Sequence, residues 1–226
     1  MGILTMFNKT MSSFRLAALG VAVAGSMVAT QVNAEVEVAA SAAVASSYLW
    51  RGVDLGSGTP AVSGDIVVSS AGAYAGIWGS SGDTTTGSEY DLWAGYAGSL
   101  EDFTYDVSLW TYTYPSNDAL DTFGQLSELI VSIGYGPVAF TYYDNIAGGS
   151  GYTYYTLEGG YEAFSGKIGY SDPGGDDDTY THLDLGYAYN DNLSFTLSKM
   201  LEADDGAGVD EDTLFVVAYS LPIDIK

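Results

Sequence analysis

The chain has 226 residues, no Cys, 29 Gly and 19 Tyr, and its six Lys and Arg face 29 Asp and Glu for a formal net charge of -23. So few bases cannot neutralise phosphates, which excludes a nucleic-acid partner. The absence of Cys excludes disulfide scaffolds and thiolate chemistry, and 47% hydrophobic residues with only 15% charged exclude an acidic disordered tail.

The first element is a targeting signal. Lys9 and Arg15 precede an uncharged apolar run from Leu16 to Ala29, and Val32-Asn33-Ala34 places small residues before an expected cleavage after Ala34. The run is too short to span a bilayer as a helix. Residues 1-34 are read as a secretory signal and 35-226 as one domain; this domain keeps four bases and 29 acids, a net charge of -25.

Beyond Ala34 the helix signal is weak, because Gly recurs inside apolar segments that are rich in Tyr, Val, Thr, Trp and Phe. Period-two alternation predicts strands near 37-50, 60-69, 73-79, 88-97, 103-114, 124-134, 138-144, 152-161, 164-170, 179-189, 193-200 and 212-221. Tyr90, Leu92, Ala94 and Tyr96 alternate with Glu89, Asp91, Trp93 and Gly95; Phe103, Tyr105, Val107 and Leu109 alternate with Thr104, Asp106, Ser108 and Trp110. The connections alternate long and short, starting long at Arg51-Thr59 and including Ser80-Gly87, Pro115-Phe123 and Leu201-Glu211. Together these features predict an all-β fold, a transmembrane antiparallel β-barrel of about 12 strands (10–14 at the limits), with long loops outside and short turns facing the periplasm. Tyr48, Trp50, Trp78, Tyr114, Tyr142, Tyr152, Tyr161, Tyr170 and Tyr189 fall near strand ends and are expected in interfacial girdles.

Most of the acids map to loops and turns, but Asp65, Glu89, Asp91, Asp106, Glu128, Glu158 and Asp184 fall on polar strand faces. With Lys167 and His182 they are the expected pore lining, net negative and so cation-preferring. The competing expectation is an interior closed by these acids pairing with Lys167, Arg51 and Tyr hydroxyls. Asp176-Asp177-Asp178 and the 202-212 segment are read as solvated acidic loops able to bridge divalent cations to lipopolysaccharide. His182, the sole histidine, shares a strand face with Asp184, which opens an alternative as a membrane-embedded lipid hydrolase. No G-x-S-x-G elbow accompanies it.

One stretch carries more than periodicity. Ser46-Ser47-Tyr48-Leu49-Trp50-Arg51-Gly52 is followed by Thr59-Pro60-Ala61-Val62-Ser63-Gly64, then by Tyr74-Ala75-Gly76-Ile77-Trp78-Gly79-Ser80 and Glu89-Tyr90-Asp91-Leu92-Trp93. This order resembles the TorF-type porin family of proteobacteria over roughly residues 40-115. The resemblance implies an outer-membrane β-barrel with a porin role and no defined substrate. Arg51 is expected at the barrel mouth, anchored by Asp91 or Glu89.

The sequence therefore reads as a bacterial outer-membrane channel for passive diffusion of small solutes. It is expected to be non-enzymatic, with no catalytic residue, cofactor or resident metal. Its expected partners are outer-membrane lipids, lipopolysaccharide, small solutes and the barrel-assembly machinery. The alternatives are a closed structural or adhesive barrel with acidic loops, and the lipid hydrolase.

Overall fold

The computed structural model describes residues 35–149, 151–175 and 178–225. Residues 1–34, on which the expected signal segment falls, Ser150, Asp176, Asp177 and Lys226 lie outside them. The described residues are all-β. The strands are β1 (Glu37–Ala45), β2 (Leu49–Trp50), β3 (Val53–Asp54), β4 (Ala61–Ser70), β5 (Ala73–Asp83), β6 (Gly87–Leu100) and β7 (Phe103–Thr113). They continue with β8 (Leu126–Tyr135), β9 (Val138–Ala147), β10 (Thr153–Tyr161), β11 (Phe164–Asp172), β12 (Tyr180–Ala188), β13 (Leu193–Ala203) and β14 (Leu214–Ile223).

Twelve of these strands close a barrel in which every neighbour is antiparallel and sequential, sealed by β1 pairing with both β4 and β14. Closure leaves no unpaired strand edge. Alternation decides which side chain goes where. Val62, Ile66, Ile77, Val107, Leu109, Phe140, Leu157, Ile168, Leu185, Leu197 and Phe215 point outward and stay exposed, forming an apolar belt around the barrel. Glu89, Asp91, Ser108, Glu128, Thr141, Thr156, His182, Asp184 and Ser198 point inward and are buried. Apolar residues outside and polar ones inside is the inverse of a soluble barrel and the arrangement of a transmembrane one.

Three expectations need correction. The first predicted strand, 37-50, stops at Ala45; Leu49–Trp50 instead pairs with Val53–Asp54 in a separate two-stranded hairpin. The predicted long loop Ser80-Gly87 is a three-residue connection, because β5 runs to Asp83 and β6 begins at Gly87. Asp83 makes that short turn viable: its carboxylate accepts the amides of Thr85 (2.7 Å) and Thr86 (2.8 Å) and the Thr86 hydroxyl (2.5 Å). Asp83→Ala should therefore cost about 1–3 kcal/mol in urea unfolding, since three donors lose a charged acceptor.

The third correction concerns the girdles. Tyr48, Trp50, Trp78, Tyr114 and Tyr152 sit inside the barrel or on the hairpin, against the lumenal cluster or around Arg51. Burying these tyrosines is tolerable because the acids accept their hydroxyls: Tyr48 and Tyr114 donate to Glu89, as Tyr112 does to Glu128. The aromatic girdle instead collects at the short-turn end, where Tyr96 meets Tyr105, Phe103 meets Tyr135 and Phe164 meets Tyr187 on the outer face. Tyr161 and Tyr189 are exposed at the same end, and Tyr142 and Tyr170 lie on the outer face beside Tyr155.

Candidate functional site

The lumen differs between its two halves. Toward the short turns the inward side chains are small or only half-buried, among them Asp106, Glu158, Lys167 and Thr196, with Gly134 and Gly186 between them. Toward the long connections the interior is filled. Trp93 and Trp110 stack at 4.4 Å, and Val67, Tyr112 and Ile130 pack around them. Trp93 lies so close over Gly76 that a Cβ there would sit 2.2 Å from its ring.

The hairpin of β2 and β3 completes the filling. At its tip Arg51 (φ +48°) and Gly52 (φ +85°) are both left-handed, between the paired Trp50 and Val53. This is the backbone of a type I′ turn, which suits the twist of a two-residue hairpin but strains a non-Gly residue at its first central position. Gly52 is required twice over. Its φ favours Gly, and a Cβ would lie 2.5 Å from His182 Cγ. At the base, Asp54 accepts the Ser47 hydroxyl and the amides of Gly56 (2.9 Å) and Gly58 (3.0 Å), while Leu55 donates its amide to the Tyr48 carbonyl.

The turn carries Arg51 into the barrel, where the residue is only 8% exposed. Its Nη2 donates to both oxygens of Glu128, at 2.9 and 2.7 Å. The guanidinium carbon lies over four rings: Trp50 at 4.6 Å, Tyr154 at 4.7 Å, Tyr143 at 4.8 Å and Tyr152 at 5.1 Å. All four distances are within cation–π range. Glu128 is held in turn by the Tyr112 hydroxyl at 2.8 Å. Arg51 Nη1 is buried among these rings with no hydrogen-bond partner.

His182 backs the tip. It is fully buried, with Nδ1 3.0 Å from Asp184 and Nε2 2.7 Å from the Tyr154 hydroxyl. Asp184 also accepts the Ser198 hydroxyl at 2.7 Å and pairs with Lys167 at 2.9 Å. The order along this chain is Ser198, Asp184, His182. A nucleophilic serine must instead face the imidazole that removes its proton, and here Nε2 faces a tyrosine. Among the described residues, no group of three or more His, Asp or Glu is placed to hold a metal ion.

All the residues singled out as lining (Asp65, Glu89, Asp91, Asp106, Glu128, Glu158, Lys167, His182 and Asp184) occupy inward-facing positions. Asp65 accepts the Ser41 hydroxyl, and Asp106 accepts that of Tyr74 at 2.8 and 2.6 Å. Arg51 is paired with Glu128, not with Asp91 or Glu89, and it lies within the lumen, not at an open mouth. Tyr143 and Tyr154, which complete its surroundings, carry no local signal beyond their place on the inward parity of β9 and β10. At the outer end, Asp204 ties two long connections together by accepting the amide (2.8 Å) and hydroxyl (3.0 Å) of Thr179, and these donors hold its carboxyl below the usual range.

The profile of a family described as "Bacterial protein of unknown function (Gcw_chp)" matches residues 29–212. The chain belongs to the Gcw_chp family. No curated protein matches this Gcw_chp chain in sequence. Among solved structures, that of Acinetobacter baumannii OccAB4 is similar at 10% identity and a TM-score of 0.37, over 73% of the Gcw_chp chain and 54% of that chain. Acinetobacter baumannii OccAB1 is similar at 14% identity and a TM-score of 0.37, over 79% and 60% respectively. The Gcw_chp chain thus spans little more than half the length of these two proteins, and both likenesses concern the barrel fold alone.

Proposed function

We propose that this protein is a porin-like barrel of the bacterial outer membrane, of the TorF type, that passes small solutes and prefers cations to anions. The observation that carries this reading is the lining. Among the described residues, seven inward carboxylates face two inward bases, Arg51 and Lys167, and three of the inward charges (Asp106, Glu158 and Lys167) lie in the half-buried short-turn end of the lumen. A net negative wall raises the local concentration of cations and repels anions. The apolar outer belt supports the placement in a membrane. Lipids, lipopolysaccharide and the assembly machinery are the partners such a barrel requires.

A second reading, a closed structural barrel with acidic loops as its working surface, draws on the hairpin that fills the other half. Conductance separates the two. The purified full chain in planar bilayers should show small, infrequent, cation-selective currents. A variant with residues 48–55 replaced by a Gly-Ser linker of equal length should conduct several-fold more, with the same selectivity. Anion preference, or silence from both proteins, would overturn the channel reading. Silence from both would favour the closed barrel.

A further inference from the structure

We propose that the cage now occupied by Arg51 is a recognition site for guanidinium-bearing solutes, with Arg51 as its resident, tethered ligand. The proposal deepens the channel reading and rests on it for the route by which a solute arrives. Most of the cage belongs to the barrel wall and not to the hairpin. Glu128 comes from β8, Tyr143 from β9, Tyr154 from β10 and Tyr152 from the residue before it. These side chains remain when the hairpin leaves; only Trp50 goes with it.

The chemistry selects a planar, delocalised cation. Tyrosine faces around one carbon attract it through their quadrupoles, and a carboxylate within 2.9 Å accepts its N–H groups. The carboxylate is fixed beforehand by the Tyr112 hydroxyl, so little ordering is needed on binding. The resident ligand fits imperfectly. Arg51 reaches the cage from a left-handed backbone, uses one nitrogen for both carboxylate oxygens, and leaves Nη1 buried without a protein partner. A free guanidinium carries neither the strain nor the tether and can turn two nitrogens toward the carboxylate. The tether compensates by presenting Arg51 at a local concentration on the order of millimolar, so that dilute solutes do not displace it.

The test removes the occupant and keeps the cage. Arg51→Ala barrels in detergent should be stabilised saturably by guanidinium chloride and by arginine amide, with half-saturation on the order of 1–10 mM, beyond the effect of equal NaCl. If Arg51→Ala assembles poorly by itself, the same comparison is read as folded fraction recovered on unheated gels. Adding Glu128→Gln should weaken the response roughly tenfold or more, because the ligand's charge then meets no carboxylate. In the wild type the response should shift to several-fold higher concentration, because tethered Arg51 competes for the cage. A response in Arg51→Ala no larger than that to NaCl, or one equally strong with Glu128→Gln, overturns the proposal. Because binding is read without current, saturable binding by a barrel that is silent in bilayers would remove the channel reading and keep the site. Conduction without binding would do the reverse.

Discussion

Replacing Glu128 with Ala should destabilise the barrel by about 3–5 kcal/mol, the cost of leaving a buried cation without its counter-charge. The Arg51–Glu128 contact is at 2.7 Å with side-chain exposures of 7% and 5%, so solvent can screen or rescue neither partner. Tyr112 loses its hydroxyl acceptor in the same step. Arg51→Ala should cost less, because the carboxylate it leaves behind keeps the Tyr112 hydroxyl. The double variant should cost less than the sum of the two, since removing the second charge removes the first one's penalty. Urea titrations of all four proteins in one detergent give the cycle. A Glu128→Ala loss below about 1 kcal/mol, or strict additivity, would mean that the pair does not clamp the hairpin.

Gly52→Ala should be nearly as damaging, at about 2–4 kcal/mol, through overpacking and a left-handed backbone together. The new methyl would lie 2.5 Å from His182 Cγ and 2.7 Å from its Cβ. The imidazole cannot step aside without losing Asp184 at 3.0 Å or Tyr154 at 2.7 Å, so the hairpin must back out. Withdrawal moves Trp50 off Tyr152 and should shift tryptophan emission to the red. Gly58→Ala is the matched control. Its φ of +75° carries a similar backbone strain, but nothing lies within 4 Å of the added carbon, so only about 1–2 kcal/mol should be lost. Equal losses at the two glycines would show that backbone strain, and not contact with His182, sets the cost at Gly52.

The barrel was legible because its information is local. Tyr90 and Asp91, or Leu183 and Asp184, differ in polarity at adjacent positions, and a strand sends adjacent side chains to opposite faces. That pattern alone assigns the inward carboxylates. The hairpin was not legible for the same reason. Arg51 reads locally as a loop residue next to a strand-end tryptophan, and Arg at the first central position is not a type I′ turn signal. What buries it is Glu128, 77 residues away, together with rings from two other strands. A desolvated charge is tolerable only when such partners converge, and their convergence is a property of the closed sheet. The lumenal tyrosines were misplaced by a related omission: acids counted as lining charge also serve as acceptors for phenol hydroxyls, as Glu89 does for Tyr48 and Tyr114.

The hairpin follows directly from β1, the strand that pairs with β14 from the far end of the chain, where Ala45 meets Ala218 and Ala42 meets Leu221. No other neighbouring pair of barrel strands is so far apart in sequence, so its formation bears the largest loop-closure cost. The strand on this seam also has the hairpin tied to its end, with Ser46 donating its amide to the Val217 carbonyl beside the seam and accepting that residue's amide on its hydroxyl. The seam and the filling of the lumen thus share the Ser46–Val217 bonds, so a barrel left ajar at the seam would lose part of what holds its hairpin in place.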